Sequence, residues 1–260
     1  MIVLTLAILF PVWFMVINSL KSSAEFASDP AGLPRSPGFG AFAEAVQGRD
    51  IGRLFGNSLY ISLISVAGAT VFGALAAYAI AKFRFAGRRL VFGSLMPLMV
   101  IPPIAVLVPQ FALFGAMGLI GNPWAVILIY IGIMLPFTIY LLQAFFAGIP
   151  DELIDAARID GAGPLATFLR VVAPLARPGL ITAAMVNFVY AWNELLISLV
   201  FLQSDQSRTL VVGLTVFRSR LSLDVPVLMA GLTIATLPVV AAYFLGQRYL
   251  VAGLLSGVGK

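Results

Sequence analysis

Long apolar runs separated by short polar connections dominate the chain. Six of them, at 2–20, 57–81, 91–114, 124–146, 179–202 and 227–247, match the roughly 20 residues that a helix needs to cross a bilayer core of about 30 Å. None shows the alternation of apolar and polar positions over about ten residues that a membrane β-barrel requires. The pattern predicts an all-α integral membrane protein with six transmembrane helices, folded as a single membrane domain over 1–260. Asn122 and Pro123 form an N-cap and first-turn pair ahead of the fourth run, and Pro178 and Pro226 open the fifth and sixth. Pro97, Pro102, Pro103 and Pro109 predict a bent or partly unwound third helix. The first run lacks a basic leader and exceeds the apolar core of a signal peptide, so a retained helix is expected.

Composition agrees with a lipid environment: 61% of residues are hydrophobic, 10% are charged, and the mean hydropathy is +1.04. There is no cysteine and no histidine, which removes disulfides, thiolate metal sites and the commonest general base. No catalytic residue and no metal site is expected, and the chain is not expected to be an enzyme. The tail "SGVGK" lacks the first glycine of a phosphate-binding loop, since position 254 is Leu254, and nothing follows Lys260. No cofactor is expected on this chain.

The net charge of +5 reads as membrane topology, because the basic residues are spread among loops without an aromatic-interleaved surface for nucleic acid. Lys82, Arg84, Arg88 and Arg89 stand in one short connection without an acid, which places it in the cytoplasm. Six spans then put both termini, the 147–178 loop and the tail from 248 on the cytoplasmic side. The loop 204–225, with Arg208, Arg218 and Arg220 against Asp205 and Asp224, weakens that bias without reversing it.

The 147–178 connection is unusual for so apolar a chain. Asp151 and Glu152 suit the first turn of a helix, where the macrodipole favours acids. Helical spacing puts Leu153, Ala156, Ala157 and Asp160 on one face and Asp151, Asp155 and Arg158 on the opposite one. Gly161 can end that helix in the left-handed region, and Pro164 can open a second piece. Periodicity alone fits equally a helix lying on the membrane surface and a helix presented to another protein, with Ala156 and Ala157 permitting close approach.

The order of residues is more specific. Asp155-Ala156-Ala157, two residues, Asp160-Gly161, nine residues and then Val171-Val172-Ala173-Pro174 resembles the "EAA" loop of ABC importer permeases. In that family the pattern is Glu-Ala-Ala, three residues, Gly, nine residues, then Ile-x-Leu-Pro, so Asp155, Val171 and Ala173 are departures. The stretches "FPVWFMVINSLK", "NSLYISL", "AYAIAKFRFAGRR", "YAWNELLISLVFL" and "QRYLVAGLLSGVGK" resemble the carbohydrate-uptake branch, the maltose-type second permease. The resemblance implies a type I ABC importer transmembrane domain with a cytoplasmic coupling helix. It implies a bacterial or archaeal cytoplasmic membrane as the location. The implied partners are two ABC ATPase subunits carrying ATP and Mg, a second and different permease, and an extracytoplasmic solute-binding protein, with no nucleic acid. Asp151, Asp155, Ala156, Ala157, Arg158, Asp160, Gly161 and Pro174 are then the ATPase-coupling residues. Members usually carry a short leader before the first span, so a longer start than Met1 is expected.

Polar groups midway along the fourth and fifth runs are the candidates for a substrate pathway: Tyr130, Gln143, Asn187, Tyr190, Asn193 and Glu194. Aromatic faces with amide and carboxylate partners suit a sugar or another polyhydroxylated solute. Bonds between neighbouring helices would explain the same residues. A polyol, a glycerol phosphate or an amino acid remains open as substrate. A stand-alone secondary transporter is the alternative of a different class.

Overall fold

The computed structural model describes residues 2–48, 50–220 and 224–258, which are helical with no strand among them. Helix α1 (Ile2–Asn18) leads through two short helices, α2 (Ser23–Ser28) and α3 (Gly40–Gly48), into α4 (Ile51–Lys82). Next come α5 (Arg88–Val100), a 3-10 turn (Pro103–Val106), α6 (Leu107–Ala116) and α7 (Pro123–Ala147). The loop that follows holds α8 (Asp151–Ile159), α9 (Pro164–Thr167), a π turn (Phe168–Val172) and α10 (Ala173–Leu175). The chain ends with α11 (Arg177–Asn193), α12 (Leu196–Phe201), α13 (Leu210–Arg220) and α14 (Val225–Val258). Residues 221–223 of the 204–225 loop and the last two residues of the 247–260 motif lie outside the described residues.

Among the described residues three stretches are long and apolar enough to cross a membrane unbroken: Ile51–Lys82, Pro123–Ala147 and Val225–Tyr249. Two bent helix pairs are long and apolar enough only when taken together, Arg88–Val100 with Pro103–Ala116 at 96° and Pro164–Leu175 with Arg177–Asn193 at 81°, and Leu4–Asn18 is a shorter apolar helix. The run at 91–114 is therefore not one rod. Pro102 and Pro103 remove two backbone donors, and Ile101 before them is extended, as a residue preceding proline prefers. The run at 179–202 also breaks, at Glu194, for a reason given below.

Helices α4 and α7 pack along their length. The buried stripe of α4 is rich in small residues, including Ser62, Ser65, Ala69, Gly73 and Ala77, which let the two backbones approach. A Cβ added at Gly73 would stand 2.6 Å from Thr138 Cγ2 on α7, so only glycine fits there. Three apolar cores follow one another along α4. Ile51 and Leu54 pack with Trp192, Leu210 and Val227 at its start. Ile61 and Ala69 pack with Tyr130, Ile197 and Phe201 in the middle. Ala77 and Tyr78 pack with Phe146, Ile154, Phe168 and Val172 at its end.

Candidate coupling loop and membrane polar cluster

Pro150 precedes α8, and Asp151 and Glu152 occupy its first turn while Arg158 occupies its last, each on the side the macrodipole favours. One residue fastens the helix to the bundle: Ile154, 3% exposed, sits among Tyr78, Phe146, Phe168 and Val172. Those aromatic rings form a tight socket, with Tyr78–Phe168 centroids at 5.3 Å and Phe146–Phe168 at 6.1 Å. The start of α8 is held by Lys82, the last residue of α4. Its Nζ donates to the Ile149 carbonyl at 2.5 Å and to Asp151 Oδ1 at 2.6 Å. The Lys82 ammonium, bonded to the Asp151 carboxylate, holds that carboxyl below the usual aspartate range. Lys82 is not among the site candidates named from the sequence, where it counts only toward the positive charge of its connection.

With Ile154 turned inward, α8 shows Leu153, Ala156, Ile159 and Asp160 to the outside, Ile159 at 86% exposure. Ala157 is half-buried, so Ala156 is the small residue of the pair on the open face. Asp155 and Arg158 pair with each other at 3.0 Å on the exposed surface, a bond of small consequence. Gly161 follows at φ +81°, the left-handed conformation that turns the chain out of the helix. The Ala162 amide then closes on the Ala157 carbonyl at 2.9 Å. Pro174 lies exposed in α10, ahead of the bend into α11.

The six polar candidates of the membrane interior fall into separate places. Tyr130 on α7 is fully buried, and its hydroxyl lies 2.7 Å from Glu194 Oε2, to which it donates, and 2.7 Å from Ser198 Oγ. Glu194 also accepts from the backbone amides of Ile197 at 2.9 Å and Ser198 at 3.1 Å. Its carboxylate thus caps α12, and the extended backbone at Glu194 interrupts the fifth apolar run. Tyr190 stands edge-on to Tyr130 with centroids 6.2 Å apart. Asn187 is buried elsewhere, donating to Thr138 Oγ1 at 2.8 Å across the α11–α7 contact. Gln143 lies 13 positions along α7 from Tyr130, about 20 Å away at 1.5 Å per residue.

Asn193 is exposed and lines an open cavity of about 450 Å³ with Met15, Trp192, Thr215 and Thr236. Thr215 and Thr236 escaped the sequence reading, because a lone threonine in an apolar helix gives no signal. Both hydroxyls donate to the preceding turn of their own helices. Among the described residues no group of three or more acids, histidines or cysteines could hold a metal.

Residues 69–255 match the family described as "Binding-protein-dependent transport system inner membrane component". The chain belongs to that family. It is a membrane permease, and a transporter component rather than an enzyme. It is 36% identical over 254 residues to the trehalose transport system permease protein SugB of Mycobacterium tuberculosis, covering 97% of this chain and 92% of that one. The diacetylchitobiose uptake system permease protein NgcG of Streptomyces coelicolor is 32% identical over 260 residues, covering 99% and 86%. The fold is shared with a chain in the crystal structure of a bacterial ABC transporter that imports the acidic polysaccharide alginate. There the TM-score is 0.85 at 24% identity, covering 95% of this permease and 92% of that chain.

Proposed function

We propose that this permease forms the translocation pathway for a sugar or related polyhydroxylated solute in an ATP-driven importer. We further propose that α8 is the surface through which a separate ATPase drives it. The sugar assignment is supported by relatives named for trehalose and diacetylchitobiose transport. A delivering solute-binding protein is supported by the description of the family itself. The proposed assembly has two ATPase subunits, which bind ATP and Mg, and a second, different permease.

The observation that carries the coupling is the mounting of α8: anchored by Ile154 and Lys82, it leaves Leu153, Ala156 and Ile159 unpartnered and facing outward. A partner pushing on that face moves a rigid body. Phe168 and Val172 lock the π turn into the same socket, and α10 is joined to α11 through the 81° bend at Ala176. The 17 residues of α11 span about 25 Å, so motion at its base reaches Tyr190 and Asn193 at its far end. ATP binding shifts the pathway between two states only through a difference in the partner's affinity for them.

The proposed side of the membrane is supported by contacts together with charge. The Lys82–Asp151 bond puts the 83–87 connection beside the 147–178 loop, and Thr182 bonds to the Tyr249 carbonyl at 3.1 Å, bringing the end of α14 to the same region. Lys82, Arg84, Arg88 and Arg89, within and flanking the 83–87 connection, favour the cytoplasm for this whole side and for both termini.

The chain has no cysteine, so Ala156→Cys creates a unique thiol on the exposed face of α8. A thiol-directed cross-linker in native membranes is expected to join Ala156→Cys, but not Phe39→Cys in the loop before α3, to an ABC ATPase subunit. Gly161→Pro is expected to abolish uptake while the protein remains in the membrane. Labelling of the Ala156→Cys thiol without any ATPase adduct, or wild-type uptake by Gly161→Pro, would remove the coupling role.

A further inference from the structure

Where α4, α5 and α7 meet, a cavity of about 310 Å³ is lined by Ile80, Arg88, Arg89, Phe92 and Gln143. Two arginines and one glutamine are its polar lining residues, and among the described residues neither arginine meets a carboxylate. Arg88 makes only a long 3.4 Å contact to the Ala81 carbonyl, whereas Lys82 nearby is committed to Asp151 and Ile149. Arg88 is half-buried and Arg89 exposed; two neighbouring cations without counter-charge repel each other, and an anion bound between them relieves that.

The surroundings say which anion. Directly after the arginines, Leu90 is 79% exposed and Val91 is exposed as well. Phe92 stacks on the exposed Tyr140 of α7, with centroids 5.8 Å apart and planes 7° from parallel. A charged cavity thus continues into an apolar, aromatic wall at the end of the membrane-crossing helices. The aqueous phosphate ion matches only the first half of that arrangement; a phospholipid matches both, with its phosphate on the arginines and its acyl chains along Leu90, Val91 and Phe92.

We infer that Arg88, Arg89 and Gln143 form a site for the phosphate of an anionic phospholipid headgroup. Arg88 and Arg89 hold the phosphate, Gln143 donates a further hydrogen bond, and Phe92 with Tyr140 borders the chains. The site sits at the start of α5, one connection away from the Lys82 anchor of α8, so bound lipid stiffens the base against which α8 is mounted. The inference stands apart from the ATPase assignment and is tested without transport.

The full chain, extracted with whatever subunits remain bound, is mixed with phosphatidylglycerol or phosphatidylcholine, and retained lipid is counted by native mass spectrometry. Wild type is expected to retain phosphatidylglycerol in preference to phosphatidylcholine. At roughly fivefold per arginine, Arg88→Gln with Arg89→Gln is expected to weaken that retention about twenty-five-fold. Arg84→Gln with Arg170→Gln, which removes equal charge from positions that do not line the cavity, is expected to leave it nearly unchanged. If the first double variant does not fold, Gln143→Leu carries the test with a loss of roughly tenfold. Equal retention of the two lipids by wild type overturns the site, as does equal loss in both double variants or no loss in Gln143→Leu. Protection against heat by inorganic phosphate, without lipid retention, assigns the arginines to the free ion and overturns the lipid.

Discussion

Lys82 and Asp151, 69 positions apart in sequence, meet at 2.6 Å although the lysine side chain is 5% exposed and the aspartate 79%. The lysine is therefore the costly partner to disturb. Lys82→Met also strips the Ile149 carbonyl of its donor, a charge-assisted bond worth about 2 kcal/mol. Asp151→Asn keeps an acceptor and is expected to cost less. Because the Asp151 carboxyl is held below its ordinary range, the pair's contribution is complete above the unfolded value of about 4 and fades as pH falls through the lower folded value. Unfolding temperatures of the purified protein, stepped downward from neutral pH, are expected to fall more steeply below about pH 4 in wild type than in Asp151→Asn. Superimposable curves would mean that the bond does not support the folded state.

Gly73 lies against Thr138, which is fully buried and bonded both to Asn187 and to the Met134 carbonyl. A methyl group at 73 has nowhere to go, because the branched threonine cannot swing aside. Gly73→Ala is expected to destabilise the protein by about 1–3 kcal/mol and to lower its abundance in the membrane. Gly132→Ala on α7 meets nothing within 4 Å and serves as the neutral comparison. Equal abundance of the two variants would show that the α4–α7 contact is looser than described.

Glu194 accepts two backbone amides and the Tyr130 hydroxyl, so its loss and the loss of Tyr130 differ in kind. Tyr130→Phe removes the hydroxyl's bonds to Glu194 and Ser198 and keeps the ring, at an expected cost of about 1–2 kcal/mol with uptake retained. Glu194→Ala uncaps α12 inside the membrane and leaves two amides without a partner, which is expected to reduce folded protein severalfold. Measuring abundance and uptake KM together separates a cap from a solute contact. A Glu194→Ala protein with normal abundance and a raised KM would make the carboxylate part of the pathway.

The sequence by itself determined that the chain is helical, lives in a membrane and carries the Asp155-to-Pro174 pattern of an importer permease. These are properties of local composition and order: apolar length decides insertion, and proline and glycine mark where helices stop. Even the weak point of the third run was legible in Pro102 and Pro103, although its 96° turn was not. Tertiary structure alone decided which face of α8 is buried, since Ile154 meets Tyr78 and Phe168 only once distant helices are assembled. It alone joined Lys82 to Asp151, and it alone turned Glu194 from a lone acid in an apolar run into the cap of a helix break. A buried polar group must find its partner wherever packing brings one, and that distance in sequence carries no local signature. The polar candidates could thus be named from the sequence, while their division among a tyrosine–glutamate cluster, a buried amide bond, an open cavity and an arginine-lined pocket required the fold.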